Sequence, residues 1–243
     1  MKRTERHRLK ENEVALSVAR ARETLDVYRK PIVAGRVALA LVVLGVVALT
    51  AWRRGADSDA RTLLADAMAT ADAPVVPTTP GPNTPAPSAG SFQTERARLE
   101  ATLQKFTAAA DAHPSSEPGI AARYHAAAIL ATLGRHKEAE QRYREVVDRA
   151  GSGLYGRMAR LGLANTQAAA GQYDQAITAY RDLAAQKDTD LPVDAVLMQL
   201  ARTYLQAGKT NDAQQTFRRI GDEFPQSPYA SLAAKELAQL KQN

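Results

Sequence analysis

The hydrophobic pattern of the chain is dominated at first by one long apolar stretch near the N-terminus. Residues 32–52 read IVAGRVALALVVLGVVALTAW, and Arg36 is their only charged residue. A helix rises about 1.5 Å per residue, so a stretch of this length spans about 31 Å, close to the hydrocarbon thickness of a bilayer. Trp52 ends the stretch, at the boundary that amphipathic aromatic rings prefer. The pattern predicts a single transmembrane helix over residues 32–52.

Two other interpretations of this stretch remain open. A cleaved signal peptide has an apolar core of about 7–15 residues and a small-x-small cleavage site, whereas this core is longer and Leu49-Thr50-Ala51 is a poor site. A buried helix of a soluble protein needs apolar neighbours on all sides, and the flanking segments are too polar to supply them. A membrane anchor therefore accounts best for the pattern.

The segment before the anchor, residues 1–31, is a basic tail that carries nine Lys and Arg residues. Positive residues favour the cytoplasmic side of a membrane, so the sequence predicts a cytoplasmic N-terminus and a C-terminal domain on the other side. Five apolar side chains of the tail share one face at helical spacing: Val14, Val18, Ala21, Leu25 and Tyr28. Such a face is typical of a helix lying on anionic lipid, with docking to a cytoplasmic partner as the alternative.

A second change of pattern follows the anchor. Residues 53–72 are predicted to form a juxtamembrane helix with Leu63, Leu64 and Met68 on one side. Residues 73–91 then contain six prolines and no apolar face, which predicts an extended, polyproline-like spacer. A ligand for a PxxP-binding domain is the alternative for this linker.

From residue 92 to residue 243 the apolar residues follow a helical period, and the sequence repeats itself. Gly134, Gly171 and Gly208 are 37 residues apart. Each glycine is followed at fixed spacing by an alanine and then an aromatic residue: Ala139 and Tyr143, Ala176 and Tyr180, Ala213 and Phe217. Glycine adopts the positive φ that ends a helix, and small residues let two helices approach closely. Each repeat is therefore predicted to be a helix–turn–helix unit that buries its apolar face by stacking on its neighbours.

These repeats resemble the tetratricopeptide repeat (TPR) family. The matching segments are LGRHKEAEQRYREVV, AGQYDQAITAYRDLA and AGKTNDAQQTFRRIGDEFP, and the third alone ends in the family's proline, Pro225. The resemblance implies an all-α, TPR-like α-solenoid. A degenerate first unit is expected in front of it, with residues 94–113 as its second helix, residues 57–71 as its first, and the proline-rich linker inserted between them.

The layout of tail, anchor, linker and repeats also resembles a bacterial family of single-pass ancillary subunits of the SecYEG translocon, which share their TPR domain with cell-division coordinator proteins. This resemblance implies a membrane-anchored periplasmic adaptor that binds emerging or unfolded proteins near the translocon or passes them to chaperones. The alternative is a structural scaffold for a cell-envelope or cell-division complex.

The distribution of charge changes which classes of partner the chain suits. Residues 1–54 carry 12 Lys and Arg against 5 Asp and Glu, whereas residues 55–243 carry 20 against 21. The net charge of +6 therefore belongs to the membrane end. The repeat region has no basic excess, which argues against nucleic-acid binding. The chain contains no Cys, which excludes disulfides and thiolate chemistry.

The sequence offers little for catalysis, metals or cofactors. Gly151, Gly153 and Gly156 match GxGxxG, but no βαβ unit surrounds them, so they are expected to form a lengthened turn between repeats. The four histidines, at positions 7, 113, 125 and 136, lack the spacing of metal ligands. We expect no enzymatic activity, no metal and no cofactor.

The family resemblance implies that a peptide binds the concave face, which the first helix of each repeat lines. Soft apolar and amide side chains at these positions suit an extended or helical peptide. The candidate groove residues are Tyr124, His125, Met158, Asn165, Met198, Gln199, Arg202 and Gln206, with Ala128 and Leu161 beside them. The competing interpretation of each position is packing between helices.

Overall fold

The structure, a computed structural model, describes residues 35, 38–48, 50, 55, 57–76, 90–186 and 191–240. The predicted tail over 1–31, parts of the predicted anchor and residues 77–89 of the predicted linker lie outside the described residues. Within the predicted anchor, residues 38–48 are helical and exposed. In the part of the chain that is described, no helix has both the length and the apolar character needed to cross a membrane.

The remaining described residues form helices joined by short turns, and contacts concentrate between helices that follow one another in the chain. We label the helical residues 57–71 as α1. The helices that follow are α2 (Glu95–Ala112), α3 (Glu117–Thr132), α4 (His136–Ala150), α5 (Leu154–Ala169), α6 (Tyr173–Ala185), α7 (Val193–Gln206), α8 (Thr210–Glu223) and α9 (Pro228–Leu240). The all-helical solenoid predicted from the repeats is confirmed.

The turns at the repeated glycines share one geometry. Gly134, Gly171 and Gly208 have φ values of 75°, 76° and 72°, in the left-handed region that ends α3, α5 and α7. After Gly134, the N–H of Arg135 donates to the Leu130 carbonyl at 2.9 Å, and equivalent bonds follow Gly171 and Gly208. These are the backbone bonds of the Schellman motif, which satisfy the last carbonyl groups of a helix. The glycine spacing therefore sets the length of each unit.

The aromatic residue of each unit fills the space between helices. Tyr143, Tyr180 and Phe217 are at most 4% exposed, and Phe106 on α2, which lies 37 residues before Tyr143, is 2% exposed. Phe106 and Tyr143 belong to one apolar core cluster, and Tyr180 and Phe217 belong to a second. The aromatic series therefore extends the repeat backward to α2, the second helix of the first unit.

Contacts between non-consecutive helices define two layers. α3 contacts α5, α5 contacts α7, and α7 contacts α9, whereas among α2 to α9 no two even-numbered helices reach each other. The odd-numbered helices therefore lie closer together than the even-numbered ones. We call α1, α3, α5, α7 and α9 the inner layer and α2, α4, α6 and α8 the outer layer.

The first unit is built from α1 and α2, on either side of the linker. Ala67 on α1 is fully buried in the same core cluster as Leu103 and Phe106 on α2. Lys105 Nζ lies 2.8 Å from the carboxylate of Asp66, which adds an ion pair between the two helices. The two helices are therefore packed neighbours.

The ends of the linker are also joined. The N–H of Val76 donates to the Phe92 carbonyl at 2.8 Å, and the N–H of Phe92 donates to the Pro74 carbonyl at 2.9 Å. Arg98 on α2 donates to the Ala73 carbonyl at 3.2 Å. Residues 74–76 and residue 92 are therefore hydrogen-bonded neighbours. The two ends of the linker therefore lie next to each other beside the packed helices α1 and α2, which supports the degenerate-repeat hypothesis.

A buried arginine connects the first unit to the second. Arg123 on α3 is 3% exposed. Its guanidinium donates to the Ala110 carbonyl at 3.2 Å and lies 3.3 Å from the Asp111 carboxylate on α2 and 3.1 Å from the Glu145 carboxylate on α4. A buried cation needs such partners, because removing a charged group from water costs on the order of several kcal/mol. Arg123 therefore fixes three helices relative to one another.

Candidate functional site

The inner layer carries a groove between α1, α2 and α3. Its volume is about 290 Å³, and most of its lining is apolar. All three helices contribute residues to its lining. The lining residues are Met68, Ala71, Arg98, Leu99, Thr102, Phe106, His125, Ala128, Ile129 and Thr132. Two of them, His125 and Ala128, are groove residues that the sequence predicted.

His125, a lining residue on α3, packs against Phe106, the repeated aromatic position on α2. Its ring stacks on Phe106 with the centroids 5.1 Å apart and the planes 21° apart. The ring of Tyr124 meets it edge-on at 5.4 Å. The later repeats carry Gly162 and Gln199 at the equivalent positions, 37 and 74 residues on, so the histidine is particular to this unit.

The aromatic contacts continue from the groove toward α5. Tyr124 packs against Tyr143 and Tyr155, with centroids 5.8 Å apart in both pairs. Burial, and to a lesser degree the neighbouring Tyr155, raises the pKa of Tyr124. Burial also raises the pKa of Tyr143, with a smaller effect from Tyr124. These phenols are therefore uncharged at neutral pH and extend the apolar surface of the groove.

The groove carries little charge at neutral pH. Burial lowers the pKa of His125 below its ordinary value, so its imidazole is neutral near pH 7. Within the described lining, Arg98 is the one charged residue, and its guanidinium lies 2.7 Å from the carboxylate of Glu95. The groove therefore suits uncharged apolar groups.

The structure corrects the prediction for Met198. Its side chain is 0% exposed and belongs to the C-terminal core cluster, which also contains Ala233 of α9. The inner-layer helix α9 contacts α7, the helix that carries Met198. Met198 is therefore a core residue and does not line a groove.

The other predicted residues of α7 are accessible. Gln199, Arg202 and Gln206 are all exposed on that helix. They lie outside the groove between α1, α2 and α3 and give the C-terminal part of the stack a polar surface. The structure therefore does not bring the predicted set together into one site.

On α5, the predicted residues divide between packing and surface. Met158 and Leu161 are half-buried. Asn165 is exposed, but its side-chain oxygen accepts a hydrogen bond of 2.6 Å from the hydroxyl of Tyr180. This bond joins α5 to α6, so Asn165 has a structural role.

The GxGxxG segment forms a turn between α4 and α5. Gly151 has a φ of 54°, and a Cβ on Gly156 would lie 2.1 Å from the Gly151 carbonyl oxygen. A close backbone approach explains the glycine at position 156 without a nucleotide. The expectation of a turn between repeats is confirmed, but residues 151–153 form a shorter turn than residues 113–116 or 224–227, so the turn is not lengthened.

The outer layer has a larger cleft of about 500 Å³ between α6, α7 and α8. Its lining mixes charges of both signs, with Arg181, Asp182 and Arg219 around Leu200. Arg219 is already paired with Glu223 at 2.8 Å. The outer cleft therefore lacks the apolar surface of the inner groove.

Several lining residues of the inner groove were missed by sequence reasoning. Met68 is 40% exposed on α1, and Leu99 and Arg98 lie on α2. Their contribution depends on the pairing of α1 with α2 across the linker. The position of Phe106 places α2 in the repeat series, but no spacing in the sequence fixes the position of α1 relative to it.

Comparisons with known proteins agree with this architecture. A family model described as a tetratricopeptide repeat-like domain matches residues 93–232. No curated protein matches the chain significantly. Among solved structures, the fold is similar to that of a Podosopora anserina protein described as a putative kinesin light chain with nearly identical TPR-like repeats, solved in two forms that differ by one substitution. Both are 16% identical over 61% of this chain, covering 79% and 80% of theirs, with TM-scores of 0.53 and 0.52.

A further match is the Yersinia enterocolitica type III secretion translocator chaperone SycD. It is 20% identical, over 53% of this chain and 92% of that chain, with a TM-score of 0.43. At these identities the solved structures bear on the fold alone.

Proposed function

This chain belongs to the tetratricopeptide repeat-like domain family, and from that premise we propose that it is a membrane-anchored adaptor that holds protein partners on its inner layer. Stacked helical repeats present extended surfaces suited to binding other proteins. The observation that carries the proposal is the apolar groove between α1, α2 and α3, open on the inner layer. We propose a binding role without catalysis, cofactor or metal.

The proposal of a membrane anchor rests on residues 32–52. Within this stretch, Leu39, Leu41 and Leu44 are 63–64% exposed on the helical segment 38–48. Soluble proteins rarely leave contiguous apolar surface of this kind in water, and a bilayer would cover it. We propose that residues 32–52 cross the bacterial inner membrane once.

The orientation follows from charge. The basic residues of the tail favour the cytoplasm, which would put the repeat region in the periplasm. An adaptor tethered there meets exported chains as they emerge, because tethering raises the effective concentration of weak binding sites. We propose that the protein assists export or periplasmic folding near the translocon.

Protease treatment of spheroplasts tests the membrane topology. A protease added to spheroplasts should digest the repeat region, and the same protease added to intact cells should leave it whole. A repeat region that is protected in spheroplasts and cut only after lysis would contradict the orientation. Extraction of the full-length chain by alkaline carbonate would contradict the anchor.

The number of partners tests the role of the adaptor. Full-length protein is isolated from cells after treatment with a membrane-impermeant crosslinker, and the attached proteins are counted by mass spectrometry. We expect many different envelope proteins, each attached to a small fraction of the chain. Their yield should rise under conditions that unfold envelope proteins. One folded partner at constant stoichiometry would instead establish the alternative, a structural scaffold of an envelope or division complex.

A further inference from the structure

We propose that the groove between α1, α2 and α3 is a subsite for uncharged, apolar side chains of a bound peptide, and that protonation of His125 weakens this binding. The inference rests on the proposed function, since it names the ligand class and the regulation of the same surface. The inference concerns this groove alone, so it can fail while the proposed function stands.

The charge of the lining selects the occupant. Among the described residues, no acidic side chain lines the groove, and the guanidinium of Arg98 is already balanced by Glu95 at 2.7 Å. A charged side chain entering the groove would lose its hydration without gaining a partner. An uncharged apolar side chain has no such hydration to lose, and its transfer from water into the groove is favourable. The ligand that fits this groove is therefore a neutral, apolar segment of a peptide.

The size of the groove limits how much of the peptide it holds. At about 290 Å³, the groove is at the lower limit of ligand pockets, which begin at about 300 Å³. It therefore accommodates one or two side chains, with the rest of the peptide elsewhere on the inner layer. Met68, 40% exposed at the rim, offers a flexible thioether that adapts to different apolar shapes.

His125 makes this subsite sensitive to pH. Its imidazole lies between Phe106 and Tyr124, at centroid distances of 5.1 Å and 5.4 Å. The described lining supplies no carboxylate to stabilise the charged form of the ring. A proton on His125 would add a second positive charge to an apolar surface that already holds Arg98.

The ionisable groups around His125 come from several helices. α2 contributes Arg98 to the groove, and α3 itself contributes Tyr124. Behind Tyr124 lie Tyr143 of α4 and Tyr155 of α5. The groove lining from α1 consists of Met68 and Ala71, neither of which is ionisable. No group in this set favours the imidazolium.

The sign of the pH effect follows from linkage. Burial already lowers the pKa of His125, and an apolar ligand that covers the ring removes more water from it. The ligand therefore binds the neutral form more tightly, and by reciprocity it lowers the pKa further. Affinity is full above the pKa of the free protein and falls as the pH drops below it. Each pKa unit of ligand-induced lowering corresponds to a loss of about tenfold in affinity.

The test uses the full-length chain in detergent micelles and a fluorescent neutral peptide that carries two leucines among glycines and serines. A peptide with both leucines replaced by serine is the matched control. We expect the leucine peptide to bind several-fold more weakly at about pH 4.5 than at about pH 7.5, because the pKa of His125 lies below the ordinary histidine value of 6.5. The His125→Gln variant should bind as the wild type does at the higher pH and lose the pH dependence.

Two variants locate the peptide, and one serves as a control. Ala128→Leu fills the groove and Met68→Ser makes its rim polar, so both should weaken binding at least several-fold while circular dichroism reports unchanged helix content. Gln215→Ala, at an exposed position of α8 in the outer layer, should leave binding unchanged.

Each outcome decides one point. If the peptide binds both groove variants as well as it binds the wild type, the subsite is wrong while the proposed function stands. A pH dependence that survives in His125→Gln would overturn the role of the histidine. Binding of neither peptide, with Ala128→Leu abolishing self-association instead, would overturn the peptide subsite and assign the groove to a second copy of the chain. Failure of the proposed function would show separately, as the absence of any crosslinked partner in cells.

Discussion

Gly162 on α5 lies beneath the ring of Tyr143, and a Cβ at this position would approach two ring carbons to 2.5 Å. We predict that Gly162→Ala lowers the free energy of unfolding by about 1–3 kcal/mol, because the buried ring must move in a packed core. The measurement is urea unfolding followed by circular dichroism.

Gly221 on α8 is the matched control for this substitution. No atom of another helix lies within 4 Å of the point that a Cβ would occupy there. Gly221→Ala should therefore raise stability by about 0.5–1 kcal/mol, through helix propensity alone. Equal effects of the two substitutions would refute the close packing of Tyr143 on α5.

Arg123 provides a second residue-scale prediction. Because its guanidinium is buried and shared between α2 and α4, Arg123→Ala should lower the free energy of unfolding by about 2–4 kcal/mol. Arg219→Ala, which breaks an exposed pair with Glu223, should change it by no more than about 1 kcal/mol. Similar losses from the two variants would show that Arg123 does not hold the helices together.

The ionisation of two buried tyrosines should cause the fold to unfold at high pH. Burial raises the pKa of Tyr143 and of Tyr180 well above the ordinary value near 10. Their contribution to stability is full below about pH 10 and is lost as the pH rises from there toward the folded-state pKa values, because the unfolded chain ionises first. Unfolding should therefore begin above about pH 10, with phenolate absorbance appearing together with loss of helix.

The double variant Tyr143→Phe, Tyr180→Phe tests this assignment, since it should remain folded to a higher pH than the wild type. Tyr229→Phe, at a half-buried position of α9, serves as the control. An unchanged alkaline midpoint in the double variant would rule out the two phenols as its cause.

At the residue scale, the sequence predicted structural positions better than binding positions. The glycines and aromatic residues repeat at fixed spacing because every unit needs the same turn and a buried aromatic ring between its helices. Met198 is instead buried in a core cluster that also includes Ala233 of α9, and the side chain of Asn165 accepts a hydrogen bond from Tyr180. Neither leaves a periodic trace in the sequence.

At the scale of elements, the first unit joins helices that lie far apart in the sequence. The bonds between Val76, Phe92 and Pro74 close the linker at its base. We predict that replacement of residues 77–89 by a short Gly-Ser loop leaves helix content and melting temperature unchanged, because the described contacts of α1 with α2 lie outside this segment.

Removal of residues 57–71 is the comparison for the loop replacement. It should lower the melting temperature, because it uncovers the side of the N-terminal core where Ala67 packs with Phe106. If the loop replacement destabilised the protein as much as removal of α1, the linker itself would be a structural element.

The sequence predicted the helices from residue 95 onward, because their glycine, alanine and aromatic positions recur at a spacing of 37 residues. The pairing of α1 with α2 entered only as a hypothesis, since the linker breaks the period of 37 residues at that point. Phe106 and Ala109 preserved the repeat spacing in α2, whereas α1 has no fixed distance from them. The groove that depends on this pairing could therefore not be derived from spacing.

At the scale of the whole repeat region, the two layers differ in what they offer a partner. The odd-numbered helices α3 to α9 contact one another in series, and their layer carries the apolar groove. The outer layer carries a cleft lined by charges of both signs. Under the proposed function, partners bind the inner layer and the outer layer faces solvent.

A photoreactive crosslinking walk on the full-length protein in cells tests this claim most directly. The inner-layer positions are His125, Gln199 and Arg202, and the outer-layer controls are Gln141, Arg181 and Gln215. The account predicts protein adducts from the inner positions and few from the outer ones. Adducts that arise equally from both layers, or mainly from the outer layer, would contradict binding along the inner layer.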